Sequence, residues 1–460
     1  MAHIKITKGL DIPLKGKPSG SIKQLIPSGQ ASVPPPQQIA LNLRAFDDIK
    51  FRLLVKVGDS VKIGQPLAED KSTPGRMFPS PAAGIINDVR RGLKRALQEI
   101  VIDVAPQEEF HPFDPVNFKS ASKEAITAFL LEGGCFSTIY TRPLDRLANP
   151  QITPRSIFVK ALESAPFVPP AELQVNSFEK EFQTGLDVLH KLTSSSVHLI
   201  YHKNTSCRAF LSAENVQKHS AEGPHPIANS SVHIQSIDPI RASDDVVWTL
   251  TALDVIGIGH LVMHGRHFIQ RIISIAGPGV LPDRVGYFQA RIGYPVKDLV
   301  AGRIKHSLMR FISGDPLNGK KVLIDDFLGY FHTVFCVIPE NVEREFLHFM
   351  GLGINKYSFS KAYMSGHLNN SRREYDFTTS LHGEHRAFVD STLYDKVMPL
   401  DVPTMLLVKA VMAEDFELAE TLGLLEVASE DFALPTFVCP SKMEMTEIMA
   451  AGLKQYAKDL

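Results

Sequence analysis

Short alternating runs of apolar and polar positions fill the first hundred residues, and longer helical periods dominate the remainder of the chain. Leu54, Val55 and Val57, then Val61 and Ile63, read as short strands punctuated by Gly58-Asp59 and Gly64. Ile85, Ile86 and Val89 follow the turn-rich Pro79–Gly84, and Ile100, Val101, Ile102 and Val104 close the unit before Pro106. Gly-Asp and Ala-Gly pairs supply the turns such a tight β unit needs. From Lys119 the rhythm changes. Ala121–Glu132 is predicted helical, with Ser120 or Ser122 as N-cap and Gly133 as its stop. Ile157–Val159 reads as a buried strand, Phe178–Leu192 as an amphipathic helix, and Val197–Ile200 as the next strand. Strand, helix and strand on short links argue a Rossmann-like α/β layer. Val246–Met263 is read as one helix stopped near Gly265.

Arg271–Phe311 offers a strand at Ile272, Ile273 and Ile275, a Gly277-Pro278-Gly279 turn, a strand at Tyr287, Gln289 and Arg291, and a short helix from Val296. That order resembles a β-grasp unit, and the first β unit resembles a biotinyl/lipoyl-type barrel-sandwich module. Beyond about Pro339 the pattern reads as mainly helical, with helices at Pro403–Met412, at Glu414–Leu422 capped by Gly423, and at Thr446–Lys458. The expected architecture is a multidomain α/β chain. It comprises an N-terminal segment with a Pro-rich connector at Ile26–Gln38 (1–38) and a barrel-sandwich module (39–104). A Rossmann-like domain without nucleotide (105–265), a β-grasp, SLBB-like domain (266–338) and a helical C-terminal domain (339–460) complete it.

At 460 residues, 22% charged and 44% hydrophobic, the chain exceeds one ordinary core. A net charge of −1 gives no electrostatic argument for nucleic acid. Met1–Gly20 has lysines but no apolar core, so no secretory signal is read. No apolar run approaches the ~18 residues of a membrane span, so the chain is expected to be soluble by itself and able to dock on membrane proteins. Cys135, Cys207, Cys336 and Cys439 lie far apart, without the local run of an iron–sulfur or zinc site. Reduced, buried thiols are expected.

Each candidate chemistry meets a bland alternative. Lys71, in Glu69-Asp70-Lys71, superficially fits the tip that carries lipoyl or biotin. Gly64–Lys71 reads as too short to build the strand before such a tip, and Thr73-Pro74-Gly75 turns again too early. An unmodified surface lysine is expected. Gly133-Gly134 follows a helix, whereas a phosphate-cradling loop leads into one. Beside it, Arg142 could meet an anion or a quinone carbonyl, with Phe136 and Tyr140 as apolar walls. His225, in the rigid Gly223-Pro224-His225-Pro226 turn, is a further pocket candidate, although a purely structural turn is the plainer reading. His260 and His264 share a helical face without a matching carboxylate, and His267 leaves that face past Gly265, so a metal site is not expected. Cys439-Pro440 has the ending of a ferredoxin-like run, but Pro435 stands where a cysteine would complete it.

Taken together, IKITKGLDIPLKG, VKVGDSVKIGQPLAEDK, GPHPIANSSVHIQSIDPI, ISIAGPGVLP, HGEHRAFVDSTLYDKVMPLDVP and EDFALPTFVCPSK resemble the A subunit of Na+-translocating NADH:quinone reductases, in order from Ile4 to about Lys442. The resemblance implies a peripheral, cofactor-free subunit on the cytoplasmic face of the bacterial inner membrane. It would belong to a six-subunit pump that couples NADH oxidation and ubiquinone reduction to Na+ export. NADH, flavin and iron–sulfur sites would lie in partner subunits, the membrane-embedded flavin subunit being a main contact. Quinone binding at Phe136, Tyr140, Arg142 and His225 is the site expectation, with no catalytic or metal residue in this chain. More distantly the chain is similar to the FMN- and NADH-binding subunit of complex I and to the Rnf complex C subunit, two relatives whose glycine loop and clustered cysteines it lacks. Relative to close family members, Pro435 replaces a usual cysteine, and Asn229 and Ser230 stand in a stretch usually richer in glycine. The rival reading is an Rnf-type electron-transfer subunit carrying FMN or iron–sulfur; a lipoyl or biotin carrier is the other.

Overall fold

In the computed structural model, residues 2–25, 36–114, 116–305, 308–342, 350–368 and 373–459 are described, and most of the Pro-rich connector lies outside them. Within the described residues the strands assemble into four sheets. Two belong to the barrel-sandwich unit. Gln38–Asn42, Leu97–Val104, Gly84–Arg91 and Ser60–Val61 form one, and Phe51–Leu53, Pro66–Asp70 and Met77–Pro79 form the other. Their alternate residues meet in a core of Ile39, Leu41, Leu67, Phe78, Ile86 and Ile100.

The expectation that Gly64–Lys71 is too short for a strand is corrected. Pro66–Asp70 pairs with Met77–Pro79, and a bulge between Pro66 and Ala68 lets pairing begin just after Gly64. Lys71 is exposed on the resulting hairpin. That hairpin is anchored: Arg76 pairs with the buried Asp70 at 2.8 Å and donates to the Ala148 carbonyl at 2.5 Å.

The α/β sheet runs His3–Lys5, Gln217–Glu222, Ser196–His202, Ser156–Ala161, Val247–Thr251, Tyr140–Arg142, Arg146–Leu147. The first five are parallel and the last two antiparallel. The helices Lys123–Glu132, Glu179–Leu192 and Ala252–His264 cover one face. The helices expected at Phe178–Leu192 and Ala121–Glu132 form as Glu179–Leu192 and Lys123–Glu132, starting one and two residues later, the second on the Ser122 N-cap. The single helix expected at Val246–Met263 is wrong at its start. Val247–Thr251 is a strand buried on both faces, and a short apolar run of this kind carries no periodicity to tell it from helix. Thr251 then caps the Ala252–His264 helix in a reciprocal box with Asp254, and Gly265 ends it at φ +58°.

The β-grasp reading holds. Its sheet orders Lys320–Val322, Met309–Ser313, Val334–Pro339, Gln270–Ala276, Gly286–Arg291, Ile22–Gln24, with Val334–Pro339 and Gln270–Ala276 parallel at its centre. The N-terminal segment serves two sheets, adding His3–Lys5 to the α/β layer and Ile22–Gln24 to the β-grasp sheet.

Thr404–Met412, Phe416–Thr421, Ala433–Val438 and Met445–Asp459 supply the C-terminal helices. They bury Leu407, Val408, Phe432 and Met449 with Phe158, Ile200 and Val232 from the second face of the α/β sheet. The mainly helical expectation fails before Thr404. Among described residues between 350 and 402, helical structure is confined to the 3-10 turns around Met364–His367 and Met350, in a stretch dense in Gly, Ser, Asn and Asp.

Candidate functional site

In an open α/β sheet, ligands gather at the carboxyl ends of parallel strands, where the strand order reverses. Here the chain steps outward from Ser156–Ala161 to Ser196–His202 and Gln217–Glu222, then returns to the other side of Ser156–Ala161 with Val247–Thr251. The reversal therefore lies between Ser156–Ala161 and Val247–Thr251. Lys160, paired with Glu163 at 3.1 Å, marks the first strand's end, and the Thr251–Asp254 cap marks the second's.

The glycine pair reaches this end as the expected helix stop. Gly133 closes the Lys123–Glu132 helix and Gly134 sits at φ +78°, where a Cβ would fall 2.4 Å from Pro79 Cδ. The glycine thus lets the barrel-sandwich unit approach the α/β unit. Ser137 Oγ donates to the Gly134 carbonyl at 2.6 Å, so the Tyr330 hydroxyl donates to Ser137 Oγ at 2.7 Å.

Beneath Gly134 lies a cavity of about 50 Å³. Gly134, Thr138, Leu253, Gly257, Arg271 and Tyr330 contribute to its wall. Arg271 occupies the same face of its strand as the buried Ile273 and Ile275 and is itself 8% exposed. Its guanidinium stands 5.9 Å from the Tyr330 ring centre and makes no hydrogen bond or ion pair among the described residues. Burial lowers its pKa and pushes the Tyr330 phenol up to about 12. Burial also pushes the Cys135 thiol up to about 12 and the neighbouring His267 imidazole down to about 4. Asp254, raised by burial, turns Oδ2 toward Thr251, accepting its amide at 2.8 Å and its hydroxyl at 2.6 Å.

The residues expected to form a quinone pocket are not gathered together. Tyr140 and Arg142 lie on one strand; Arg142 pairs in register with Val247 and faces the C-terminal helices. Phe136 is fully buried on the opposite side of the sheet, edge-on to Trp248 with centroids 5.6 Å apart. Tyr140 packs against Phe331 at 5.7 Å, and burial raises its pKa. Arg142, 3% exposed, contacts Asp145 at 3.2 Å, Glu430 at 3.8 Å and the Ser231 hydroxyl at 3.0 Å. His225 is buried with Nδ1 3.0 Å from Ser164 Oγ, and burial lowers its pKa to about 4.

Arg271, Tyr330 and Asp254 escaped the sequence reading. The Thr-x-x-Asp cap before an apolar helix was a usable signal for Asp254, hidden once the strand before it was read as helix. A carboxylate does reach the histidine face, from another helix: Glu181 takes His264 at 3.0 Å, while His260 bonds to the Arg266 carbonyl at 3.0 Å. Among the described residues no cluster of three or more His, Cys, Asp or Glu could hold a metal ion. Cys439 is buried, with Sγ 3.1 Å from the Tyr394 hydroxyl.

Barrel-sandwich, α/β and β-grasp units in this order define the class, a multidomain α/β protein, and family profiles match each unit. The NqrA N-terminal barrel-sandwich hybrid domain matches residues 4–105, the NqrA second alpha/beta domain residues 121–267, and the NQRA C-terminal domain residues 272–323. The chain is 36% identical to the Na(+)-translocating NADH-quinone reductase A subunit of Saccharophagus degradans, covering 99% of this chain and 100% of the relative. Identity to the A subunit of Chlamydia caviae is 35%, covering 99% and 97%, and to that of Vibrio parahaemolyticus 34%, covering 99% and 100%. The chain belongs to the NqrA family, the A subunits of Na+-translocating NADH-quinone reductases, and is thereby a subunit of that enzyme complex. A solved NAD+-reducing [NiFe]-hydrogenase chain aligns over 53% of each chain at 11% identity and TM-score 0.34, too little to carry an argument.

Proposed function

We propose that the chain is a cofactor-free, peripheral subunit on the cytoplasmic face of the bacterial inner membrane. It docks on the membrane-embedded flavin subunit of a six-subunit pump that oxidises NADH, reduces ubiquinone and exports Na+. NADH, flavins and iron–sulfur centres belong to partner subunits. Supporting this, the four cysteines sit in four separate places: a turn after the first α/β helix, a loop, a β-grasp strand and the C-terminal domain. One thiolate at each place cannot hold an iron–sulfur cluster, which needs several.

The observation that carries the docking role is an open groove on the C-terminal domain. Phe388, Val389, Met412 and Met443 line it with Arg386 and Lys409, and Val389 is 80% exposed. No helix of the described residues is long and apolar enough to cross a membrane, so attachment to a membrane complex runs through such a surface. The apolar floor with basic neighbours suits an apolar, acid-edged partner segment. Replacing Val389 and Met412 together by aspartate is expected to leave the chain folded and to abolish its co-purification with the membrane subunits. Undiminished co-purification refutes this docking face.

The geometry supports quinone contact at Arg142 poorly, because its guanidinium already faces Asp145, Glu430 and Ser231. We propose that Phe136, Tyr140, Arg142 and His225 serve packing and ion pairing.

A further inference from the structure

We propose that the cavity beneath Gly134 binds a small oxyanion, a phosphate or carboxylate group held between the Arg271 guanidinium and the amino end of the Ala252–His264 helix. The assignment goes beyond the docking role and does not depend on it. Arg271 is 8% exposed, so its donors give up most of their water, at a cost, without a protein acceptor in exchange, and among nearby charges only that of Asp254 favours the cation in return. The face of the Tyr330 ring, 5.9 Å from the guanidinium centre, offsets part of that cost but accepts none of its N–H bonds. An oxyanion would: the guanidinium presents its donors in a planar fork that matches two oxygens at once.

The helix supplies a second, independent attraction. Leu253, Asp254 and Gly257, from its first two turns, line the cavity. The first amides of a helix have no intrahelical acceptor and carry the positive end of its dipole, although here the Asp254 amide already donates to Thr251 Oγ1 at 3.3 Å. Asp254 is the opposing charge in the wall. Its Oδ2 is engaged by the Thr251 amide and hydroxyl, which turns that oxygen toward the cap. The Tyr330 hydroxyl, donating to Ser137, fixes the ring that backs the guanidinium.

Size selects the ligand. The cavity of about 50 Å³ exceeds the ~10–15 Å³ that one water requires and so holds a few waters or one small oxyanion. A quinone or isoalloxazine ring does not fit inside it. A larger molecule reaches Arg271 only by inserting an anionic end group.

Titration calorimetry of the purified full-length chain with inorganic phosphate, and separately with acetate, tests this at constant ionic strength against chloride. Saturable binding of either anion is expected, and phosphate binding alone distinguishes a phosphate site from a carboxylate one. Arg271→Gln should weaken it at least ~10-fold, the loss of one charged donor pair. Gly257→Leu leaves Arg271 in place and fills the space, because an added Cβ at Gly257 meets no atom within 4 Å. It should abolish binding, with circular dichroism confirming the fold of both variants. No saturable binding to the wild-type chain, or binding that survives either substitution in folded protein, overturns the site and leaves the cavity to water.

Discussion

Arg142 and Arg271 are both buried cations, 3% and 8% exposed, and they live opposite lives. Arg142 meets Asp145, Glu430 and Ser231, brought from its own turn, the C-terminal domain and the Ser230–Ile237 helix. It fastens the C-terminal helices to the α/β sheet. Arg271 meets a ring and a cavity. The difference shows how a buried charge divides between structure and ligand binding. A cation already faced by two carboxylates and a hydroxyl has little left to offer a quinone carbonyl, whereas one without hydrogen-bond partners keeps its donors for a ligand or for water.

The largest expected effect tests the structural half of that contrast. Arg142→Ala leaves Asp145, Glu430 and Asp431 without their cation, and Asp431 is already raised by burial. Breaking a buried pair from one side costs about 3–5 kcal/mol, and the lower end applies because the Glu430 side chain is 43% exposed. Urea unfolding of the purified chain measures it. Quinone affinity of the assembled complex should stay unchanged. A stable variant with weakened quinone binding would reverse the roles assigned to the two arginines.

Why the sequence pointed to Arg142 and passed over Arg271 has a physical answer. Thr141-Arg142-Pro143-Leu144-Asp145-Arg146 looks like an exposed charged turn, and the partners that bury Arg142 come from positions 231 and 430, far along the chain. Arg271 sits at an alternating position of an apolar strand, where its burial is legible but its lack of a partner is not. Local features were readable for the same reason that long-range ones were not. The Ser122 cap, the Gly133 stop and the Glu179–Leu192 helix each depend on residues within one or two turns. The Val247–Thr251 strand exists because two neighbours remote in sequence pair with it. Pro66–Asp70 was missed because a bulge, invisible in the pattern, shortens the approach to the hairpin.

Acid provides the next test, through a neutral imidazole beside Arg271. Burial pushes His267 from its ordinary 6.5 down to about 4, and Nδ1 lies 3.2 Å from the Gly133 carbonyl. The unfolded chain therefore takes up this proton first as pH falls. Stability is complete above about pH 6.5 and declines toward pH 4. The contribution is at most about 3.5 kcal/mol, from ~1.4 kcal/mol per pKa unit. His267→Gln can keep a donor to Gly133 without titrating, so its stability should fall less across that window. His219, His225, His233 and His332 are lowered in the same way, so the variant removes one share of the acid sensitivity. An identical loss with pH in variant and wild type would show that His267 is not held neutral beside the cavity.

The smallest effect probes the space itself. An added Cβ at Gly257 meets no atom within 4 Å, whereas one at Gly259, two residues on, would fall 1.8 Å from the Glu181 carbonyl. The same helix is thus jammed against Glu179–Leu192 on one side and open toward Arg271 on the other. Replacing a mid-helix glycine by alanine gains about 1 kcal/mol when the methyl meets no obstacle. Gly257→Ala should therefore raise the stability of the anion-free chain by about that amount, read from the urea midpoint at unchanged slope. A loss instead would mean that the methyl displaces water ordered on the guanidinium, water whose hydrogen bonds a methyl cannot replace. In that case Arg271 is satisfied by solvent, and the contrast with Arg142 narrows to the identity of their partners.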